Sequence, residues 1–203
     1  ESDAVLVFVG EESILSGEAH SRADIGLPGA QLDLLRRLGE TGKPVITVIM
    51  AGRPLTLGET ADATDALLFA WHPGTMAGPA VTNILFGVQA PSGKLPVTFP
   101  RMVGQVPIYY NHLNTGRPEN TGMVFWSHYT DAPNDPLYPF GYGLSYTSFS
   151  YSNPQVSSPE MTRDGALTVS VDIRNTGARA GTEIAQLYVT TIVLEQPLIG
   201  NAH

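Results

Sequence analysis

The sequence predicts an α/β fold, with a mostly parallel sheet covered by helices on both faces, followed by a partial antiparallel β-sandwich. Three observations support this fold class. Short apolar runs alternate with helix-like stretches up to residue 99, as in sheets whose strands are joined by crossover helices. Residues 100–145 are rich in Pro, Gly, Tyr and Asn, and beyond them apolar and polar residues alternate. We place an α/β domain with an aromatic connection at residues 1–145 and an incomplete β segment at 146–203.

Four apolar stretches are predicted to form the strands of the α/β domain. Residues 4–9 (AVLVFV), 45–50 (VITVIM) and 66–70 (ALLFA) are continuous runs rich in Val, Ile and Leu. Such runs are typical of strands that are covered on both faces. Residues 95–99 form a shorter candidate strand.

Helices are predicted between these strands. Residues 31–38 place leucines at helical spacing, and Pro28 suits the first turn of a helix because its missing N–H costs nothing there. Residues 76–86 form a second helix candidate, and residues 60–65 a weaker one.

The last third of the chain has the pattern of half-buried strands at residues 147–151, 167–173 and 183–189. About 58 residues follow Ser145, against the roughly 100 of a complete immunoglobulin-like sandwich. Three strands without partners expose edges and an apolar face. We therefore expect homo-oligomers that form through residues 147–203.

Composition argues against several classes of protein. The formal net charge is −8 and the 11 basic residues are scattered, which argues against a nucleic-acid partner. Apolar runs are far shorter than the roughly 18 residues of a membrane span. Cysteine is absent, and the five histidines have no metal-ligand spacing, so neither a metal nor another cofactor is expected.

The loop at residues 9–31 (VGEESILSGEAHSRADIGLPGAQ) is the predicted functional segment. It follows the first strand, at the edge where parallel sheets bind their ligands, and loops of this length are usually functional or disordered. A single acid in a polar loop is most often solvated. We nevertheless interpret Glu18 as the working residue, with His20 and Arg22 as substrate-binding candidates. The loop contains three other acids, Glu11, Glu12 and Asp24.

The aromatic residues of the loops have two interpretations. Trp71 and Trp126 could stack on a sugar ring, or they could fill the interface between domains, and we favour packing for most aromatics. Arg22 and Arg53 could each clamp a carboxylate bidentately. We expect Arg22 to order its own acidic loop rather than contact a ligand.

Several motifs in the same order carry a resemblance to a known family. The stretches GEAHSRADIGLPGAQ, GKPVITVIMAGRPL, SGKLPVTFPRMVGQVPIYYNH, NTGRP and LYPFGYGLSYTSF resemble glycoside hydrolase family 3 β-glucosidases of the bacterial periplasmic type. The match runs from about residue 3 to 189. It implies the family's α/β sandwich domain, the start of its fibronectin type III-like domain, and a periplasmic or secreted location.

The resemblance also implies retaining hydrolysis of terminal β-D-glucosyl residues from a β-glucoside or oligosaccharide. In that family the nucleophile is an aspartate on a preceding barrel, which is absent from these 203 residues. The acid/base glutamate looks like Glu18, and Glu11 is the next candidate, although more consistent with a structural role. We expect a chain that is weak or inactive alone. The alternative is a non-catalytic carbohydrate-binding or assembly module.

Overall fold

The structure is a computed structural model that describes residues 2–113, 127–162 and 164–189. Two short 3₁₀ turns, Ser13–Leu15 and Val103–Gln105, accompany the regular elements. In chain order, the strands and helices are β1 (Val5–Gly10), α1 (Gln31–Gly39), β2 (Val45–Met50), α2 (Gly58–Asp62), β3 (Ala66–Phe69), α3 (Ala77–Leu85), β4 (Phe149–Val156) and β5 (Val169–Asn175).

The first three strands form a parallel sheet in the order β1-β2-β3. The predicted fold class, an α/β domain followed by a partial antiparallel sandwich, is confirmed. Val7 of β1, Val45 and Ile49 of β2, and Leu35 of α1 are buried in one core. Their burial follows from the sequence, because alternate residues of a strand share a face and helix residues at i and i+3 or i+4 share a stripe.

The predicted strand at residues 95–99 is not a member of the parallel sheet. Phe99 makes only an isolated antiparallel bridge with Tyr138, and Leu95 exchanges backbone hydrogen bonds with Gly141 and Tyr142. Pro96 lies inside this stretch and lacks the N–H that a sheet ladder requires. The stretch pairs instead with the aromatic connection that follows it.

The second sheet consists of β4 and β5, paired antiparallel. Its register shifts between Ser152 and Gln155, where Asn153 has a φ of 51° and Pro154 follows. A proline is tolerated in a strand where pairing is interrupted in this way. The first strand therefore extends beyond the predicted 147–151.

The prediction of a third strand in this segment, at residues 183–189, is wrong. The stretch has no ladder in the described part of the chain and is held by side chains. Gln186 donates to the Gly141 carbonyl at 3.0 Å, and Glu183 accepts from the Tyr151 hydroxyl at 3.1 Å. The divergent tail, residues 190–203, lies outside the described residues.

Candidate active-site loop

The loop between β1 and α1 lies at the carboxyl edge of the parallel sheet, and Gln31 closes it. The Gln31 amide donates to the Gly10 carbonyl at 2.9 Å and accepts from the Gly10 N–H at 2.7 Å. Gly10 has a φ of 145°, and an added Cβ would collide with the Met50 carbonyl. The first residue of α1 is thus joined to the last residue of β1, and both ends of the loop are held on the sheet.

Glu18 occupies the tip of a tight turn. The His20 N–H donates to the Gly17 carbonyl at 3.3 Å, and Ala19 has a φ of 63°, in the left-handed region that L-residues rarely adopt. The Glu18 side chain is exposed. Among the described residues it has no hydrogen bond or ion pair, so the backbone of the turn is the only restraint on it there.

Glu11 has the opposite environment, because its carboxylate is completely buried. Arg22 donates to it at 2.7 Å, and the Arg53 Nε lies 3.0 Å from one of its oxygens and 3.2 Å from the other. A buried charge needs such partners to offset its loss of hydration. Glu11 is therefore held in place by two guanidinium groups, Arg22 from the loop and Arg53 from the turn after β2.

Arg22 and Arg53 both also hold the backbone of the loop. Arg22 donates to the Gly26 carbonyl at 3.0 Å. The Arg53 Nη2 donates to the Leu15 carbonyl, and to the His20 carbonyl at 3.2 Å. The structure thus places Arg22 on its own acidic loop, and Arg53 reaches the same loop from the end of β2.

A second contact ties the loop to the end of β3. The Ser16 hydroxyl and the His72 Nε2 are 3.2 Å apart, within hydrogen-bond distance. Gly52, which follows β2, lies beneath both side chains, and an added Cβ there would fall 2.5 Å from the His72 Nε2 and closer still to Ser16. Sequence reasoning missed this pair. The one feature of the sequence that could have suggested it is that both residues follow predicted parallel strands, whose following turns meet at one edge of the sheet.

The aromatic and histidine candidates have different surroundings. Trp71 has a φ of 54° and packs edge-on against Phe69, with ring centroids 4.6 Å apart, and against Phe99 at 5.8 Å. Trp71 is therefore largely a packing residue. His20 is exposed beside the Glu18 turn, and Trp126 lies outside the described residues.

Two negative findings apply to the described ranges. No group of three His, Cys, Asp or Glu side chains there could hold a metal ion. No helix in these ranges has both the length and the apolar character that a membrane crossing requires.

The sequence profile of the glycosyl hydrolase family 3 C-terminal domain matches residues 1–146. The chain belongs to glycosyl hydrolase family 3. It is 49% identical over 194 residues to a periplasmic β-glucosidase of Salmonella typhimurium, and this match covers 95% of the chain and 25% of that relative. It is 43% identical over 188 residues to a β-xylosidase of Formosa agariphila, covering 93% of the chain and 25% of the relative.

The same family appears among solved structures. A β-glucosidase from Listeria innocua, in complex with gluconolactone, superimposes with a TM-score of 0.85 at 44% identity. That match covers 88% of this chain and 25% of the Listeria chain. This member of family 3 therefore spans about a quarter of the length of the relatives it matches.

Proposed function

We propose that this chain is the part of a retaining β-glucosidase that carries the general acid/base, Glu18. One observation carries the assignment: Glu18 is the exposed tip residue of a loop that is held on the sheet from both sides. Its carboxylate is unpaired in the described structure, whereas the competing Glu11 is buried between two arginines. An acid/base must be free to reach a substrate, and only Glu18 of these two is free.

The proposed reaction has two steps. Protonated Glu18 gives its proton to the glycosidic oxygen as the C1–O bond breaks, and a nucleophilic carboxylate bonds to C1. The Glu18 carboxylate then takes a proton from the water that attacks C1, and the nucleophile is released. Retention requires the two carboxyl groups to lie roughly 5–5.5 Å apart. Glu11 is already committed to its arginines, so we propose that the nucleophile comes from another part of a longer enzyme.

The test of this function uses the Salmonella periplasmic β-glucosidase with its matching segment exchanged for this chain. We expect the isolated chain to leave p-nitrophenyl β-glucoside unhydrolysed and the chimera to hydrolyse it. Glu18→Gln should lower kcat/KM for phenyl β-glucoside about 10²- to 10⁴-fold, as expected for loss of a general acid. The value for 2,4-dinitrophenyl β-glucoside should change little, because that leaving group departs without a proton.

Glu12→Gln is the matched control, because Glu12 is an exposed acid of the same loop. Its effect on both substrates should be small. Equal losses for Glu18→Gln on the two substrates, or retaining hydrolysis by the isolated chain that Glu18→Gln leaves intact, would remove Glu18 from the acid/base role.

The location and domain boundary are part of the same proposal. The Salmonella relative is named a periplasmic enzyme, and we propose a periplasmic or secreted location for this protein. We also propose a boundary near residue 145, between the α/β domain and the β segment. The family profile supports it, because the profile ends at residue 146.

A second candidate function is a carbohydrate-binding or assembly module without catalysis. Exposed aromatic rings favour it, since Tyr109, Tyr110 and Tyr142 are 52%, 56% and 39% exposed, and exposed rings can stack on sugars. Titration with glucose or cellobiose, followed by tryptophan fluorescence, tests the binding. A flat response at millimolar sugar argues against it.

A further inference from the structure

No side chain in the described residues supports Glu18. Its carboxylate has no partner in the described part of the chain, so the region that it can reach depends on the Gly17–His20 turn and on the contacts that hold that turn. General acid catalysis is sensitive to such placement, because a proton donor must lie within hydrogen-bond reach of the oxygen that it protonates. A displacement of about 1 Å can cost 10²-fold in rate.

One guanidinium group joins both ends of this turn. The Arg53 Nη2 donates to the carbonyl of Leu15, before the turn, and to the carbonyl of His20, the last residue of the turn. The segment between these two carbonyls is Ser16 to Ala19, with Glu18 inside it. Arg53 therefore holds together the two ends of the segment that carries Glu18.

Glu11 holds this guanidinium in turn. The Arg53 Nε lies 3.0–3.2 Å from both carboxylate oxygens of Glu11, whose side chain is completely buried. Arg53 is itself 22% exposed and lies in the turn after β2, three residues beyond Met50. The turn is thus connected to the rigid edge of the sheet through a buried charge pair, in which the planar fork of arginine supplies several N–H donors at fixed angles.

Arg22 offers an internal comparison. It binds the same carboxylate at 2.7 Å, but its other contact is the Gly26 carbonyl at 3.0 Å. Gly26 lies well beyond the turn. The two arginines therefore share Glu11 but hold different parts of the loop.

We propose that Arg53 is a positioning residue that holds the backbone of the Glu18 turn where the carboxylate can reach the substrate for proton transfer. This proposal rests on the proposed function of Glu18. Arg53 acts through the backbone at Leu15 and His20 and needs no contact with the substrate. Lysine keeps the positive charge at this position but cannot replace the fork, because a single ammonium group cannot reach Glu11 and both carbonyls.

The experiment compares Arg53→Lys with Arg22→Lys in the Salmonella chimera, on the same two substrates. A displaced general acid should lower kcat/KM for phenyl β-glucoside about 10²-fold and change the value for 2,4-dinitrophenyl β-glucoside little. Arg22→Lys should weaken the ion pairs of Glu11 to a similar extent. The factors by which it lowers kcat/KM for the two substrates should differ much less than with Arg53→Lys. If the role of Arg53 were purely structural, Arg53→Lys would lower kcat/KM for both substrates by the same factor.

The outcomes separate the two proposals. If Glu18→Gln does not discriminate between the substrates, the proposed function is wrong. If Glu18→Gln discriminates but Arg53→Lys does not, or if the two lysine variants behave alike, the positioning role of Arg53 is overturned while the function stands.

If the chimera does not fold, hydrogen exchange on the chain itself tests whether Arg53 holds the turn. The N–H groups of Leu15, Ser16 and His20 are all hydrogen-bonded within the loop. Arg53→Lys should make these amides exchange with deuterium faster than in Arg22→Lys. Equal exchange in the two variants would overturn the proposal.

Discussion

Glu11 and Glu18 lie seven positions apart in one loop, and the structure gives them opposite environments. The sequence could rank them, because Glu11 follows the strand directly and Glu18 lies among small, flexible residues. It could not show that two arginines enclose Glu11, since one of them, Arg53, comes from 42 positions away. Pairing between distant polar residues leaves no local pattern, which is also why the Ser16–His72 contact was missed.

Gly52 provides a test at the scale of one residue. Gly52→Ala would place a Cβ against Ser16 and His72, so both side chains must rotate and their hydrogen bond must break. We expect a loss of about 1 kcal/mol in the free energy of unfolding, measured by urea denaturation. Gly78→Ala is the control, since nothing lies within 4 Å of its added Cβ in α3. It should stabilise the chain by about 0.5–1 kcal/mol, and equal stability of Gly52→Ala and wild type would contradict the expected collision.

Among the regular elements, the buried ones were predictable and the connecting ones were not. The continuous apolar runs of β1, β2 and β3 allowed one interpretation, a covered parallel sheet. Residues 95–99 and 183–189 have strand-like composition, yet neither enters a regular ladder in the described structure. The backbone of residues 95–99 pairs with the aromatic connection, whereas residues 183–189 are held by side-chain contacts. No periodicity in the sequence encodes that difference.

Tyr138 belongs to the aromatic connection that pairs with residues 95–99, and it makes the stability of the chain depend on pH. Burial raises the pKa of the Tyr138 phenol above its ordinary value of 10.0, with smaller contributions from Tyr142 and Asp62. The folded chain therefore holds this proton more tightly than the unfolded chain. Its contribution to stability is complete below about pH 10 and is lost as the pH rises through the folded-state pKa.

We expect the difference in unfolding free energy between wild type and Tyr138→Phe to be constant from about pH 7 to 9. Above pH 10 the wild type should lose stability faster than the variant, because phenylalanine cannot ionise. Urea denaturation at each pH measures the difference. If the unfolding free energies of wild type and variant fell in parallel at alkaline pH, Tyr138 would have the same pKa in the folded and the unfolded chain.

At the scale of the whole molecule, the two sheets are covered to different degrees. The parallel sheet contributes the buried core, whereas every residue of β5 is exposed and β4 is exposed except at Phe149. Tyr151, Val156, Val169 and Ile173 are 49%, 55%, 45% and 42% exposed. The described part of this segment pairs two strands, and a two-stranded sheet is marginally stable in water on its own, so this apolar surface favours a partner.

We propose that a second copy of the chain is this partner, and we expect a dimer or larger assembly at micromolar concentration. A double substitution, Val171→Lys with Ile173→Lys, should shift the chain to monomer, because charges on an exposed strand oppose pairing between chains. Val88→Lys is the control, since Val88 is 76% exposed outside this sheet and should leave the assembly unchanged. Light scattering with size-exclusion chromatography measures the mass. A monomeric wild type at about 100 μM, where even weak pairing with a Kd near 10 μM would be visible, would show that the β4–β5 surface does not mediate self-association.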